Sequence, residues 1–302
     1  MKVEITGEFA GRTVKDWLRA NDFSTNLIKR LKSLDDGILL NGERVTVRRL
    51  LTEGDTLFLK LSDESENPLL VPTEMPLSIL YEDDDMIALD KPAGIPTHPS
   101  HGHFDDTLAN GLAYLFKKRG EPFVFRAVNR LDRGTSGIVL IAKNAKSAAD
   151  LSEKMKSGMI KKTYVAIVNG SLTGSGIIER PIHRAAESVI TREVCSPDAP
   201  GAKSAVTGYQ VVMSGDGWSF VRLDPITGRT HQLRVHLSSI GHPIAGDWLY
   251  GTAESSPTAL DRSFDRPALH CFGLVIISDG GDILIKAPLP DDMKAIVGET
   301  EL

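Results

Sequence analysis

Apolar positions recur along this chain in two rhythms, and the switch between them marks out its elements. Near the start, Val14, Trp17 and Leu18 fall at helical spacing, and Leu27, Ile28 and Leu31 repeat the pattern with Lys29, Arg30 and Lys32 on the exposed side. Ile38-Leu39-Leu40, the Asn41-Gly42 pair and Arg44-Val45-Thr46-Val47 predict a hairpin, and Gly54-Asp55 precedes a further strand over 56–61. From Ser62 to Pro76 the periodicity gives way to a polar, Pro-bearing stretch. Beyond it, strands are predicted over 77–81, 86–89, 137–143, 164–168, 208–213, 220–223 and 272–277, with helices over 107–117, 145–156 and 230–240. Strands interrupted irregularly by helices predict an α+β fold: a mixed, largely antiparallel central sheet with flanking helices, preceded by a small α/β module. The expected division is a module over 1–63, a linker over 64–76 and a larger domain over 77–302.

Two stretches carry candidate chemistry. In Arg130-Leu131-Asp132-Arg133-Gly134-Thr135-Ser136-Gly137 a carboxylate stands between arginines in a Gly-bearing turn that feeds the apolar run Ile138–Ala142. Flanking guanidinium groups favour the ionised carboxylate, which suits a nucleophile or an electrostatic stabiliser. The turn by itself fits an Asx turn that only caps the bend equally well. The second stretch, Gly228-Arg229-Thr230-His231-Gln232-Leu233-Arg234, opens a predicted short helix with cationic side chains near its start. Taken singly, Tyr164 reads as a half-buried strand tyrosine and Arg234 as a solvated helix arginine.

Four segments in order resemble the RluA/RluD-type pseudouridine synthases, enzymes that isomerise uridine in structured RNA. They are Lys91-Pro92-Ala93-Gly94 with His98-Pro99, then Arg130-Leu131-Asp132 with Thr135-Ser136-Gly137, then Lys162-Thr163-Tyr164, and Gly228 to Arg234. Gly241-His242-Pro243-Ile244-Ala245-Gly246-Asp247 and Tyr250-Gly251 extend the likeness over residues 77 to 290. The resemblance implies a central sheet with a cleft across it and Asp132 as the catalytic aspartate. Tyr164 would stack on the uracil and assist proton removal, and Arg234 would pair with the aspartate. Leu233 would wall the pocket, Arg130 would enter the RNA stack where the nucleotide flips out, and Arg229 and His231 would join substrate binding. Asn129 departs from the family, which usually has histidine there, and leaves no titratable ring at that position. The family chemistry needs no cofactor and no metal. Asp132 would either attack the anomeric carbon or take a ribose proton to give a glycal.

Residues 1–61 resemble the small αL RNA-binding domain, through the Leu40-Asn41-Gly42-Glu43 turn and Gly54-Asp55, with Lys29, Arg30 and Lys32 as its RNA contacts; an unrelated small domain with a solvated basic helix is the alternative. The formal charge of −5 is unevenly spread: residues 62–90 carry nine acids and no Lys or Arg. An acidic total therefore leaves phosphate binding by local basic patches open. Cys195 and Cys271 are too few for a disulfide framework and are expected to be reduced thiols. With no apolar run of membrane-spanning length, a cytoplasmic enzyme is expected, monomeric and without a membrane partner. Its expected partner is structured RNA, large-subunit ribosomal RNA first and transfer RNA second. A metal site from His98, His101, His103, His231 and His236 is disfavoured, because residues five apart on a helix point about 140° from each other. A non-catalytic RNA-binding protein on the same scaffold is the other alternative, and Asn129 is the feature that favours it.

Overall fold

The computed structural model describes residues 1–21, 23, 25–61, 70–100, 102–186, 188–251, 258–278 and 280–300. The N-terminal part comprises β1 (Lys2–Glu4), α1 (Val14–Ala20), α2 (Thr25–Ser33), β2 (Ile38–Leu40), β3 (Glu43–Arg44) and β4 (Thr56–Leu59). Its strands form an antiparallel sheet in the order β1-β4-β2-β3. Both helices bury the expected faces, so Trp17, Leu18, Leu27 and Leu31 pack on Leu40, Leu57 and Leu59 in a core of their own. Asn41 and Gly42 take positive φ values of 53° and 88°, the twist a tight hairpin needs. The expected strand over 44–47 stops at Arg44. Beyond it the chain turns to helix α1, where Val47 and Arg49 carbonyls accept from the Lys15 and Val14 amides at 2.9 Å. Those amides are the first of the helix and have no partner within it.

Of the expected linker, residues 64–69 lie outside the described residues. Residues 70–76 have no regular structure but are held: the Thr73 amide donates to Asn110 O at 3.1 Å, and Asn110 Nδ2 donates to Val71 O at 2.7 Å.

The larger part contains β5 (Ser78–Glu82), β6 (Met86–Lys91), α3 (Leu108–Arg119), β7 (Ser136–Ala142), α4 (Ala145–Lys156), β8 (Ile160–Asn169), β9 (Ser175–Glu179), β10 (Ile182–Arg184), β11 (Arg192–Val194), β12 (Val206–Gly215), β13 (Trp218–Pro225), α5 (Gln232–Ser239), β14 (Leu269–Ile276), β15 (Ile283–Lys286) and α6 (Asp291–Val297). Nine strands form one sheet in the order β5-β6-β7-β14-β8-β13-β12-β9, with β15 also on β14. All its pairings are antiparallel except β7 with β14, so the sheet is mixed and largely antiparallel as expected. At that parallel contact a Cβ on Gly137 would stand 2.3 Å from Cys271 O, so only glycine lets the strands meet. Every residue of β7 is buried, as its unbroken apolar run predicts.

Strands β9, β10, β11 and β15 and helix α6 were not expected: each is short and pattern-poor. The β10–β11 hairpin matters, because it reaches the cleft described below. Between the two parts, Ala145 packs on the N-terminal core and the Lys146 ammonium lies 5.9 Å from the Phe23 ring centroid.

Candidate active site

Asp132 is fixed by what surrounds its backbone. Buried Asn129 accepts from the Leu140 amide at 2.8 Å and donates to Ile138 O at 3.0 Å, which staples the approach to the turn onto β7. Asn129 is thus a backbone brace, with both polar ends of its side chain spent on β7. The Asp132 carbonyl accepts from the Thr135 amide at 3.0 Å and closes the turn. The 92–97 loop supports it from below, with the Gly94 amide on Arg133 O at 2.8 Å and Thr97 Oγ1 on Leu131 O at 3.2 Å.

Lys91 is fully buried and donates to Pro92 O and Ile95 O at 2.9 Å and to Arg133 O at 3.3 Å. Burial pushes its ammonium down to about 7, against the attraction of Asp132. In the sequence, Lys91 stands out only as part of the Lys91-Pro92-Ala93-Gly94 motif. Its signal was a lysine at the end of an apolar strand, where a solvated side chain would be out of place.

Helix α5 approaches from the other side. Its Ncap, His231, sits at φ 57°, a left-handed conformation uncommon outside glycine. Gln232 holds the entry by accepting from the Arg229 amide at 3.0 Å and donating to Val206 O at 3.0 Å. The helix therefore begins two residues later than predicted.

Arg234 does not make the expected hydrogen bond to Asp132. Its Nη1 lies 3.7 Å from Asp132 Oδ2, whereas Nε and Nη2 each bind one oxygen of Asp247 at 2.7 Å. Geometry of that kind is a bidentate, charge-assisted pair. Asp247 has a fully buried side chain and is the functional residue that sequence reasoning missed; its signal was the Gly246-Asp247 pair followed by Tyr250. His231 Nε2 stands 3.8 Å from Asp132 Oδ2, and its Nδ1 meets Tyr250 Oη at 2.7 Å. Tyr250 Oη also accepts from the Arg192 amide at 2.9 Å. Burial lowers the His231 pKa, with Asp132 opposing that shift.

Tyr164 is buried in β8, more deeply than the half-buried strand position expected. Burial, then the neighbouring Cys271 thiol and Asp132, hold its phenol well above the ordinary value, so it keeps its proton and is no phenolate base at neutral pH. Leu233 is buried to the same degree, and neither residue lines the open cavity.

That cavity, about 540 Å³, is lined by Asp132, Arg133, Thr135, His231, Arg234 and Arg266, with Ile190 of the β10–β11 hairpin and Leu249 on its rim. A second cavity of about 470 Å³, against Ile177, Ile178 and Tyr209 at the β9 edge, lies apart from Asp132. Arg130 is exposed and lowers the pKa of His98, an effect second to burial. Arg229 is exposed and donates from Nε to Ser204 O at 2.9 Å. Lys29, Arg30 and Lys32 stand on α2, outside the cavity. His236 is fully buried between Thr207 Oγ1 at 2.9 Å and Arg180 O at 3.0 Å, and His101 lies outside the described residues.

A part-exposed carboxylate stands between a guanidinium and an imidazole in a cavity, on a domain built around a mixed, largely antiparallel sheet. Residues 85–239 match the RNA pseudouridylate synthase family. The chain is 36% identical to the uncharacterized RNA pseudouridine synthase YjbO of Bacillus subtilis, over 95% of this chain and 99% of that one. It is 33% identical to the ribosomal large subunit pseudouridine synthase D of Vibrio cholerae, over 90% and 85% of the two chains. Among solved structures, human RNA pseudouridylate synthase domain containing 1 superposes with a TM-score of 0.58 at 30% identity, covering 70% of this chain and 83% of that one. The chain belongs to the RNA pseudouridine synthase family and is an isomerase of that class. The N-terminal part lies outside the family match. Among the described residues no helix is long and apolar enough to cross a membrane.

Proposed function

We propose that this enzyme converts uridine to pseudouridine in structured RNA, with large-subunit ribosomal RNA as its target and Asp132 as the catalytic carboxylate. One observation carries the assignment. Of the two carboxylates on the cavity lining, Asp132 and Asp265, Asp132 is the one flanked, at 3.7 and 3.8 Å, by Arg234 and His231; it is 34% exposed and bound by no side-chain hydrogen bond among the described residues. A carboxylate stabilised by neighbours yet not clamped by them keeps an oxygen for the ribose.

The reaction breaks the bond from the ribose anomeric carbon to N1 of uracil and forms one to carbon 5. Carbon 5 loses a proton and N1 gains one, so the product is an isomer. Asp132 either attacks the anomeric carbon or removes a ribose proton, and in both routes the freed uracil must stay in the site. A uridine must leave its stack to reach Asp132, at a cost of a few kcal/mol. Arg130, exposed beside the turn, is assigned to the vacated stack. Arg229 and His231 are assigned to the substrate, and Tyr164 and Leu233, which do not line the open cavity of the free enzyme, to contact with the base once it has entered. The ribosomal target follows the names of the relatives, which include several large-subunit ribosomal RNA enzymes. Residues 1–63, with Lys29, Arg30 and Lys32, are assigned to RNA binding, residues 77–302 to catalysis, and the enzyme to the cytoplasm.

Asp132→Asn exchanges one oxygen for an amide of equal size. Tritium release from RNA labelled at carbon 5 of uridine should fall to background, with RNA affinity kept within several-fold. Residual turnover near the native rate would remove Asp132 from this role. Pseudouridine mapping of ribosomal and transfer RNA from cells with and without the gene tests the target.

A further inference from the structure

The rim of the cavity carries large apolar side chains where a surface is ordinarily polar. Leu249 is 41% exposed and Ile190, on the β10–β11 hairpin, 60%, both on the cavity lining, and Trp248, next to Leu249 in the chain, is 60% exposed. Their backbone is fixed rather than loose. Buried Asp247 accepts from the Leu249 amide at 3.2 Å through Oδ1 and from the Gly251 amide at 2.8 Å through its carbonyl, and Ser238 Oγ donates to Tyr250 O at 2.7 Å. Tyr250 in turn receives the Arg192 amide, which ties this turn to the hairpin. The same residue that holds Arg234 therefore fixes the turn that carries Trp248 and sets Leu249 at the cavity.

The charges around the rim select the occupant. Arg133 lines the cavity and meets His103 Nε2 at 3.1 Å, and exposed Arg130 and Arg229 are close to lining residues in the chain; the three have no acidic partner among the described residues, while Asp265 lines the same cavity. Apolar faces bordered by guanidinium groups that no carboxylate neutralises complement a strand of stacked bases joined by phosphates. A copy of this acidic chain would not supply that pattern. Extruding a uridine also leaves its neighbours with an exposed ring face, and an indole replaces that lost stack whatever the base.

We propose that Trp248 is a stacking platform for an unpaired base next to the target uridine, with Leu249 and Ile190 completing the apolar rim. This rests on the reading that the cavity takes a flipped nucleotide of RNA. The test uses the full chain and a synthetic stem–loop RNA with a uridine-rich loop, with the fully paired stem as control. Trp17 is buried and Trp218 partly buried, so emission lost in Trp248→Phe reports Trp248. Stem–loop addition should quench the native protein more strongly than Trp248→Phe, and the paired stem should do so weakly. Trp248→Ala should bind the stem–loop about 5- to 150-fold more weakly, the range that one stacked base supports. Its salt dependence should equal the native slope, since no charge is removed. Trp248→Phe should fall between the two in affinity.

Native affinity in Trp248→Ala, or no differential quenching, overturns the inference. So does a dimer by sedimentation that Trp248→Ala dissociates with RNA affinity unchanged, which would assign the rim to a second copy of this chain. The two readings fail separately. Quenching by a protein that releases no tritium keeps the platform and removes the proposed reaction; full turnover without quenching does the reverse.

Discussion

Arg234 holds Asp247 through two bonds of 2.7 Å and stands 3.7 Å from Asp132, so the arginine is bound to a buried carboxylate and only adjacent to the one proposed as catalytic. The ring of Tyr250 lies 4.9 Å from its guanidinium carbon and closes a further side. Such an arrangement keeps a positive charge near Asp132 without using up its oxygens. Removing Asp247 leaves a buried guanidinium without its main partner, a change that costs about 3–5 kcal/mol where no other partner is at hand. Asp247→Asn is therefore expected to lower the urea midpoint markedly and to slow turnover in the protein that stays folded, because Arg234 is then free to clamp Asp132. Unchanged stability and rate together would remove Asp247 from the site.

Arg234→Ala should cost far more in rate than in RNA affinity, and Arg234→Lys should lie between, since lysine keeps the charge but cannot bind both Asp247 oxygens. Single-turnover rates at saturating RNA, measured beside equilibrium binding, separate the two effects. Normal turnover with poor binding would make Arg234 a phosphate contact.

Asn129→Ala removes two hydrogen bonds to the β7 backbone and leaves buried amide and carbonyl groups unpaired. A loss of about 1–3 kcal/mol in stability is expected. The pH dependence of turnover should not move. A shifted profile would show that Asn129 takes part in proton transfer after all.

His270 supplies a pH test of the fold. Burial, and then Arg266, push its pKa from 6.5 to about 4. The unfolded chain takes up a proton between pH 6.5 and 4 that the folded chain refuses, so stability is complete above 6.5 and falls as pH drops through that window, by roughly 3 kcal/mol. Lys91, held at about 7 against 10.5, makes stability rise with pH above 7, outside that range. Urea midpoints at pH 7 and 4.5 should differ clearly in the native protein and less in His270→Gln. An equal difference in both would show that His270 is not the source.

Lys29 and Lys32 on α2 test the N-terminal part. If both meet phosphates, Lys29→Ala/Lys32→Ala should lower the slope of log affinity against log salt by about 1.4–1.8, at 0.7–0.9 per contact. The rate at saturating RNA should be native. A lowered saturated rate would place α2 within the catalytic machinery.

What the sequence determined by itself is whatever is coded locally or in ordered motifs. Helix α4 matches its predicted bounds of 145–156, and β7 is buried throughout as its apolar run required. The α+β class, the position of Asp132 before a rigid strand and the family were all legible from residues close together in the chain. Tertiary structure decided which side chains meet. Arg234 and Asp247 are thirteen positions apart, and nothing local distinguishes Asp247 from Asp132 as the partner for a guanidinium. The partners of Lys91 are set only when the turn of Asp132 closes over it and presents Arg133 O, forty-two positions away. The β10–β11 hairpin has too few residues to show a period, yet it brings Ile190 to the cavity. Hydrogen-bond and charge partners are chosen by distance and burial in three dimensions, and those are set only when the whole sheet has formed.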